Sequence, residues 1–96
     1  MKPIIQIAID TTTIEDACRI ADAAVRAGAD WIEAGHPLIK FEGVRAIEAL
    51  AARHPGQYIL VDYMILAGAR KYIHAAKLRG ARNVTVSALA PDYTVK

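Results

Sequence analysis

The sequence of 96 residues has one cysteine, Cys18, and few aromatic residues, which make up 6% of the chain. A single cysteine excludes an intramolecular disulfide framework. A long apolar run is also missing, because the longest, residues 58–69, is interrupted by Asp62 and falls well short of the roughly 20 residues that span a membrane. Residues 1–9 are too short and too strand-like for a signal peptide, so a cytoplasmic protein is expected.

No charge of one sign dominates the chain. Twelve basic residues stand against ten acidic ones, which gives a formal net charge of +2. The basic residues are scattered over predicted helices and loops, so neither nucleic acid nor an anionic membrane is an expected partner. The hydrophobic fraction of 54% is sufficient for a packed core, and we expect residues 1–96 to form a single domain.

Short apolar segments alternate with helical patterns along the whole chain. The predicted strands cover residues 4–9, 31–35, 58–64 and 84–89, the predicted helices cover residues 14–27, 44–53 and 69–79, and a loop is predicted at residues 90–92. Each strand-helix unit recurs after about 24 to 28 residues, which is typical of a parallel sheet built from repeated βα units. The predicted order is βαβαβαβ, and strands this apolar are expected to be covered on both faces.

The length of the chain limits which parallel fold it can form. No GxGxxG loop follows the first strand, so a dinucleotide-binding fold is not indicated. A complete eight-stranded β/α barrel takes about 250 residues. We therefore predict an α/β protein that is half of a TIM (β/α)8 barrel. Its first and fourth strands would be unpaired edges, and two explanations stay open: two copies associate into a homodimer or higher oligomer, or the chain is a fragment of a longer protein.

Three carboxylates lie at the ends of successive predicted strands. They are Asp10, Glu33 and Asp62. The C-terminal ends of parallel strands meet at one rim, with neighbouring strands about 4.8 Å apart, and active sites of such barrels lie there. Carboxylate oxygens and water are suitable ligands for Mg²⁺. The acids therefore predict a cation or substrate site, and the alternative is that each one caps a loop or a helix start.

Several segments of the chain resemble 3-hexulose-6-phosphate synthase, which is grouped with 3-keto-L-gulonate-6-phosphate decarboxylase in the orotidine 5'-phosphate decarboxylase superfamily. The resemblance rests on Gln6-Ile7-Ala8-Ile9-Asp10-Thr11-Thr12, Asp30-Trp31-Ile32-Glu33-Ala34-Gly35, Pro37-Leu38-Ile39-Lys40, Glu42-Gly43 and Ile59-Leu60-Val61-Asp62. It runs from Lys2 to about Val95 and covers the first half of the family barrel. It implies a TIM barrel that acts on a sugar phosphate.

The resemblance also implies roles for individual residues. Glu33 and Asp62 would hold Mg²⁺, Asp10 and Asp62 would be catalytic, and Asp10 and Glu33 would contact the substrate. His36 lies in the predicted loop after Glu33, where the family usually has threonine, and its imidazole is a candidate substrate ligand. The alternative for His36 is a loop histidine that faces solvent.

The superfamily signature DxKxxD is altered in this chain. The matching residues are Asp62-Tyr63-Met64-Ile65-Leu66-Ala67, so only the first charged residue is present. A thioether at residue 64 can neither carry the charge of lysine nor deliver its proton to an enediolate. The family also binds the substrate phosphate with loops from the last two strands of the barrel, which these residues do not include.

Two hypotheses about function follow from these observations. The first is an impaired, self-associating half-barrel in which the apolar run of residues 63–69 packs against a partner. The second is an active Mg²⁺-dependent lyase that condenses formaldehyde with ribulose 5-phosphate, or decarboxylates a sugar phosphate through a similar enediolate. We favour the first, because an active site would require charged residues where this run is apolar.

Overall fold

The computed structural model describes all 96 residues, Met1–Lys96. Its single sheet has the strand order β1-β2-β3-β4, formed by β1 (Gln6–Ile9), β2 (Trp31–Ala34), β3 (Tyr58–Ile65) and β4 (Asn83–Val86). The helices are α1 (Ile14–Arg26), α2 (His36–Glu42), α3 (Arg45–Arg53), α4 (Ala69–Leu78) and α5 (Asp92–Val95). Every neighbouring pair of strands is parallel, so the predicted alternation of parallel strands with helices is confirmed. None of the helices has the length and apolar character needed to span a bilayer.

Local signals explain where α1 begins and ends. The Thr13 hydroxyl accepts a hydrogen bond of 3.2 Å from the backbone N–H of Asp16, and so caps one of the free amides of the first turn. Glu15 and Asp16 occupy the first turn and Arg26 the last, as the helix dipole favours. Gly28 follows with a φ of 91°, a conformation that glycine adopts without steric cost and that ends the helix.

The hydrophobic core lies between one face of the sheet and the helices. Alternate strand residues point into it, and the fully buried ones include Ile9, Ile32, Ile59 and Val61. From the helices come mostly small or branched side chains: Ala17, Ala21, Ala46, Ile47, Leu50 and Ala76. Burial of each large aliphatic side chain contributes about 2 kcal/mol, so this one face supplies most of the hydrophobic stabilisation.

The opposite face of the sheet is more exposed than the face that packs against the helices. Gln6 and Ala8 are exposed on this face, and Glu33 is partly exposed. The rings of Trp31 and Tyr58 stack there with centroids 4.5 Å apart, and the Arg82 guanidinium lies 5.7 Å from the centre of the Tyr58 ring. In a closed barrel this face would line the interior.

Two short helices were not predicted. His36 does not lie in a loop but is the first residue of α2, which follows Gly35 in an extended conformation and has Pro37 in its first turn. Buried Leu38 anchors α2 to the core, and Gly43, with a φ of 69°, ends it. The segment has no side-chain cap and is shorter than two full turns, so its formation depends on packing rather than on a local signal.

The second unpredicted helix, α5, begins at Asp92 within the predicted loop.

The fourth strand, β4, is shorter than predicted. The backbone pairing of β4 stops where the chain turns: Ser87 N–H donates to the Ile65 carbonyl at 3.0 Å, and Ala90 N–H then donates to the Ser87 carbonyl at 3.0 Å. The Ser87 hydroxyl also accepts from Leu89 N–H at 3.1 Å. Residues 87–90 therefore form a turn, although their apolar composition resembles a strand.

An ion-pair cluster joins α1 to the end of α3. The Arg53 guanidinium donates two hydrogen bonds, of 2.7 and 2.6 Å, to the two carboxylate oxygens of Asp22, and His54 Nε2 lies 2.8 Å from Asp22 Oδ1. The hydrogen bonds from Arg53 contribute most to lowering the pKa of Asp22, and the contact with His54 adds to the effect. Together they lower this pKa from its usual 3.8 to about 2. The cluster fixes the relative position of two helices that pack on the same sheet face.

Candidate functional site

The three acids lie on the open face of the sheet, near the C-terminal ends of three adjacent strands. In the register of the sheet, Glu33 pairs with Ala8 of β1 and with Leu60 of β3. Asp10 and Asp62 each lie two residues beyond those partners, and side chains two residues apart on a strand share a face. The acids therefore converge from three strands on one rim, although their roles stay predictions.

Glu33 is the acid most affected by its surroundings. Partial burial raises the pKa of Glu33 above its usual value, and the negative charges of Asp62 and Asp10 raise it further. Gln6 Nε2 donates a 2.7 Å hydrogen bond to Glu33 Oε1, which acts in the opposite direction. The net increase means that burial, together with the two neighbouring charges, outweighs the hydrogen bond from Gln6.

Asp62 is held by the neighbouring strand. The Thr85 hydroxyl donates a 2.6 Å hydrogen bond to Asp62 Oδ1, and His36 Nδ1 lies 3.3 Å from the Asp62 backbone carbonyl. His36 therefore lies at the same rim as the acids, at the start of α2. Sequence reasoning missed Gln6 and Thr85 as site residues. The sequence pattern that could have identified both residues is a polar side chain that alternates with apolar ones along a strand.

Asp10 is exposed, and its position depends on Gly35. The chain of β2 passes so close to β1 here that Gly35 N–H donates to the Ile9 carbonyl at 2.9 Å. A Cβ added to Gly35 would overlap both Asp10 Oδ1 and the Ile9 carbonyl oxygen. Glycine is therefore required at residue 35 by the close approach of two strands, and this approach sets Asp10 beside the end of β2.

The side chains at the rim do not form a metal centre made of protein ligands alone. No three His, Cys, Asp or Glu side chains lie close enough together to hold a metal ion. Mg²⁺ is usually bound by one or two carboxylates, with water and substrate oxygens completing six ligands. Glu33 and Asp62 lie on adjacent strands, and their binding of Mg²⁺ stays a prediction.

The end of β3 is apolar. Met64 and Leu66 are 51% and 53% exposed, and they help to line a groove of about 630 Å³ together with His36, Lys40 and Tyr72. Met64 has a φ of 47° and is the one non-glycine residue with a positive φ. The side chain that occupies the predicted lysine position thus faces a groove at the rim, but it brings no charge.

Known proteins that are similar to this chain identify its family. The sequence model of the orotidine 5'-phosphate decarboxylase / HUMPS family matches residues 3–96. This chain belongs to that family. Within the family, the chain is 34% identical over 91 residues to 3-hexulose-6-phosphate synthase from Mycobacterium gastri, covering 95% of this chain and 44% of the relative. It is 33% identical over 92 residues to 3-hexulose-6-phosphate synthase 2 from Staphylococcus saprophyticus, covering 96% of this chain and 43% of the relative.

Solved structures of the orotidine 5'-phosphate decarboxylase / HUMPS family are also similar. The 3-keto-L-gulonate-6-phosphate decarboxylase from Vibrio cholerae aligns with a TM-score of 0.93 at 35% identity, over 99% of this chain and 44% of that one. The 3-hexulose-6-phosphate synthase from Salmonella typhimurium aligns with a TM-score of 0.90 at 31% identity, over 97% and 44% of the two chains. The chain thus spans less than half the length of the relatives it matches, and the predicted half-barrel is confirmed.

Proposed function

We propose that this chain is a self-associating half-barrel whose lyase site keeps its acids but lacks the group that transfers the proton. The observation that carries the proposal is Met64, which follows Asp62 at the position where the resemblance implies lysine, with its side chain 51% exposed. A thioether has no proton to donate and no charge to stabilise a developing oxyanion. Ala67 likewise removes the second acid of the signature.

We propose that Glu33 and Asp62 still hold Mg²⁺, and that Asp10 and His36 contact a sugar phosphate. The support is the raised pKa of Glu33, caused by burial and by the charges of Asp62 and Asp10, because a cation between these carboxylates would relieve that repulsion. Bound Mg²⁺ would polarise substrate oxygens. The chain's own contribution is to orient two carboxylates from adjacent strands and to place His36 next to them.

Self-association with a second copy is supported by the two free edges of the sheet. Strand β1 pairs only with β2, and β4 only with β3, so each edge leaves backbone hydrogen-bonding groups without a strand partner. Apolar side chains accompany both edges, with Ile4 58%, Ile5 50% and Val86 37% exposed. Pairing β4 of one copy with β1 of the next, twice around a two-fold axis, would close eight strands and cover the open face.

The decisive experiment is the solution mass by light scattering, with and without Mg²⁺ and ribulose 5-phosphate. We expect a dimer whose mass responds to neither ligand. The fluorescence of Trp31, the single tryptophan, gives an independent reading, since its ring lies on the open face and its emission should move to shorter wavelength when the barrel closes. A monomer at all concentrations would overturn the self-association.

A matched pair of variants locates the interface. Leu66→Asp places a charge in the apolar run at the rim, and it should convert the oligomer to monomer or unfold it. Ala52→Asp places the same charge on the exposed side of α3, between the two sheet edges, and should leave the mass unchanged. An unchanged mass for Leu66→Asp would exclude the apolar run as an interface.

The alternative is an active Mg²⁺-dependent lyase acting on a sugar phosphate. The convergence of Asp10, Glu33 and Asp62 on one rim favours it, because a scaffold has no use for three carboxylates that repel one another. Consumption of formaldehyde in the presence of Mg²⁺ and ribulose 5-phosphate, abolished by Asp62→Asn, would establish this second function. A cytoplasmic location stays a prediction of the sequence.

A further inference from the structure

The positive charge of this chain is concentrated in its final third. Residues 63–96 contain six basic residues and a single acid, Asp92, although the chain as a whole is nearly balanced. The six basic residues are Arg70, Lys71, Lys77, Arg79, Arg82 and Lys96. A charge asymmetry of this kind indicates a region that attracts anionic groups.

The fold gathers most of these basic residues around one groove between α4 and α5. The groove has a volume of about 990 Å³, and its basic lining residues are Arg70, Lys71, Lys77 and Lys96, together with His74. No acidic side chain lines it. Sites for small ligands usually have volumes of about 300–1,000 Å³, so the groove has the size of a small-molecule site.

The charges at the groove are not neutralised within the chain. Arg70, Lys71 and Lys77 form no ion pair with any carboxylate. Lys96 Nζ lies 4.0 Å from Asp92, whose side chain is 93% exposed. Like charges held close together repel one another, so an anion bound among these side chains would be stabilised by several of them at once.

The two walls of the groove are attached to the rest of the fold. Buried Ala76 anchors α4 in the core, and the Thr94 hydroxyl ties α5 to the end of β3 by donating to the Leu66 carbonyl at 2.9 Å. On α4, residues 70, 74 and 77 share one face and span about 10 Å along the helix axis. A row of this length suits several linked anionic groups better than one isolated phosphate.

We propose that the groove between α4 and α5 binds a small molecule that carries two or more phosphate groups, with Arg70, Lys71 and Lys77 as its ligands. The groove shares no residue with the acid rim, and α4 packs on the sheet face opposite the acids. Neither Mg²⁺ binding nor lyase activity is required for it.

The test is calorimetric titration of the full chain at low ionic strength, with tripolyphosphate and, separately, with inorganic phosphate. Tripolyphosphate should bind at least about tenfold more tightly, because its linked phosphates contact the basic row together. Added salt should weaken the binding, because it screens exposed charges. Arg70→Ala combined with Lys77→Ala should weaken tripolyphosphate binding about tenfold.

The matched control is Lys2→Ala combined with Arg26→Ala, which removes two exposed basic residues that lie outside the groove. It should leave the affinity for tripolyphosphate nearly unchanged. Equal weakening by the two double variants would show that net charge alone attracts the anion, and would overturn the site. The absence of binding at low ionic strength would overturn it as well. Neither result would bear on the acid rim, because the two regions have no residue in common.

Discussion

Gln6 Nε2 donates a 2.7 Å hydrogen bond to Glu33 Oε1 across the first two strands of the sheet. It is a neutral donor beside a carboxylate that also experiences the charges of Asp62 and Asp10. The bond favours the ionised form of Glu33, but burial outweighs it, so the pKa of Glu33 stays raised. Burial and the neighbouring negative charges therefore disfavour the ionised form of Glu33 in the folded chain.

Glu33→Gln should stabilise the metal-free chain at neutral pH. The raised pKa means that ionised Glu33 disfavours the folded state, so the gain should be complete at pH values above the raised pKa and vanish below the ordinary pKa of glutamate, where both forms are neutral. Thermal melting with and without Mg²⁺ provides the measurement. Mg²⁺ should raise the melting temperature of the unaltered chain more than that of the variant.

The control for this change is Glu15→Gln, which removes the same charge from the exposed first turn of α1. It should lower stability slightly or leave it unchanged, because a negative charge is favourable at a helix N-terminus. A lower melting temperature for Glu33→Gln at neutral pH without metal would contradict the electrostatic account of the rim.

Gly35→Ala should destabilise the fold by about 1–3 kcal/mol, the usual cost of inserting an atom into a packed site. The new Cβ would overlap Asp10 Oδ1 and the Ile9 carbonyl, so β1 and β2 would have to separate locally. Urea denaturation measures the loss. Gly28→Ala is an informative comparison, since its Cβ would meet no atom within 4 Å but its φ of 91° is unfavourable for alanine. A loss well below about 1 kcal/mol for Gly35→Ala would mean that the two strands relieve the overlap without separating.

Asp22→Asn should lower the stability of the chain at neutral pH. The pKa of Asp22 is about 2 in the folded state against an ordinary 3.8, so the ionised carboxylate stabilises the folded state above the ordinary value. That contribution is lost as the pH falls from about 5 to about 2, so the melting curves of variant and parent should converge over this interval. Asp92→Asn changes a carboxylate whose side chain is 93% exposed and should have no effect. A difference that persists at pH 2 would show that charge is not what Asp22 contributes.

Met64→Lys tests whether residue 64 limits catalysis. A positioned proton donor typically contributes about 10²–10⁴-fold to a rate, so consumption of formaldehyde with ribulose 5-phosphate and Mg²⁺ should rise by at least about tenfold. Met64→Leu keeps an apolar side chain at the same site and should show no gain. If the lysine variant binds Mg²⁺ and still gains nothing, the defect lies elsewhere in the site.

Much of the fold was predictable because its signals are short in range. Thr13, the acids after it and Gly28 mark α1 within the sequence itself, and the apolar β-branched residues of β1 alternate with a period of two. The helix α2 was not predictable in this way. It has no side-chain cap, and it forms because Leu38 is buried against the rest of the molecule.

Some features of the candidate site were likewise predictable from the sequence, and others were set only by the tertiary structure. The sequence alone determined that Asp10, Glu33 and Asp62 lie near the C-terminal ends of three successive strands and that residue 64 is methionine, because side-chain alternation along a strand is a local property. Only the tertiary structure decided that Thr85 donates to Asp62, that Gly35 borders Asp10, and that Arg53 reaches Asp22 from 31 residues away. Those contacts join residues far apart in the chain. They depend on register and packing, which form only when the strands and helices assemble.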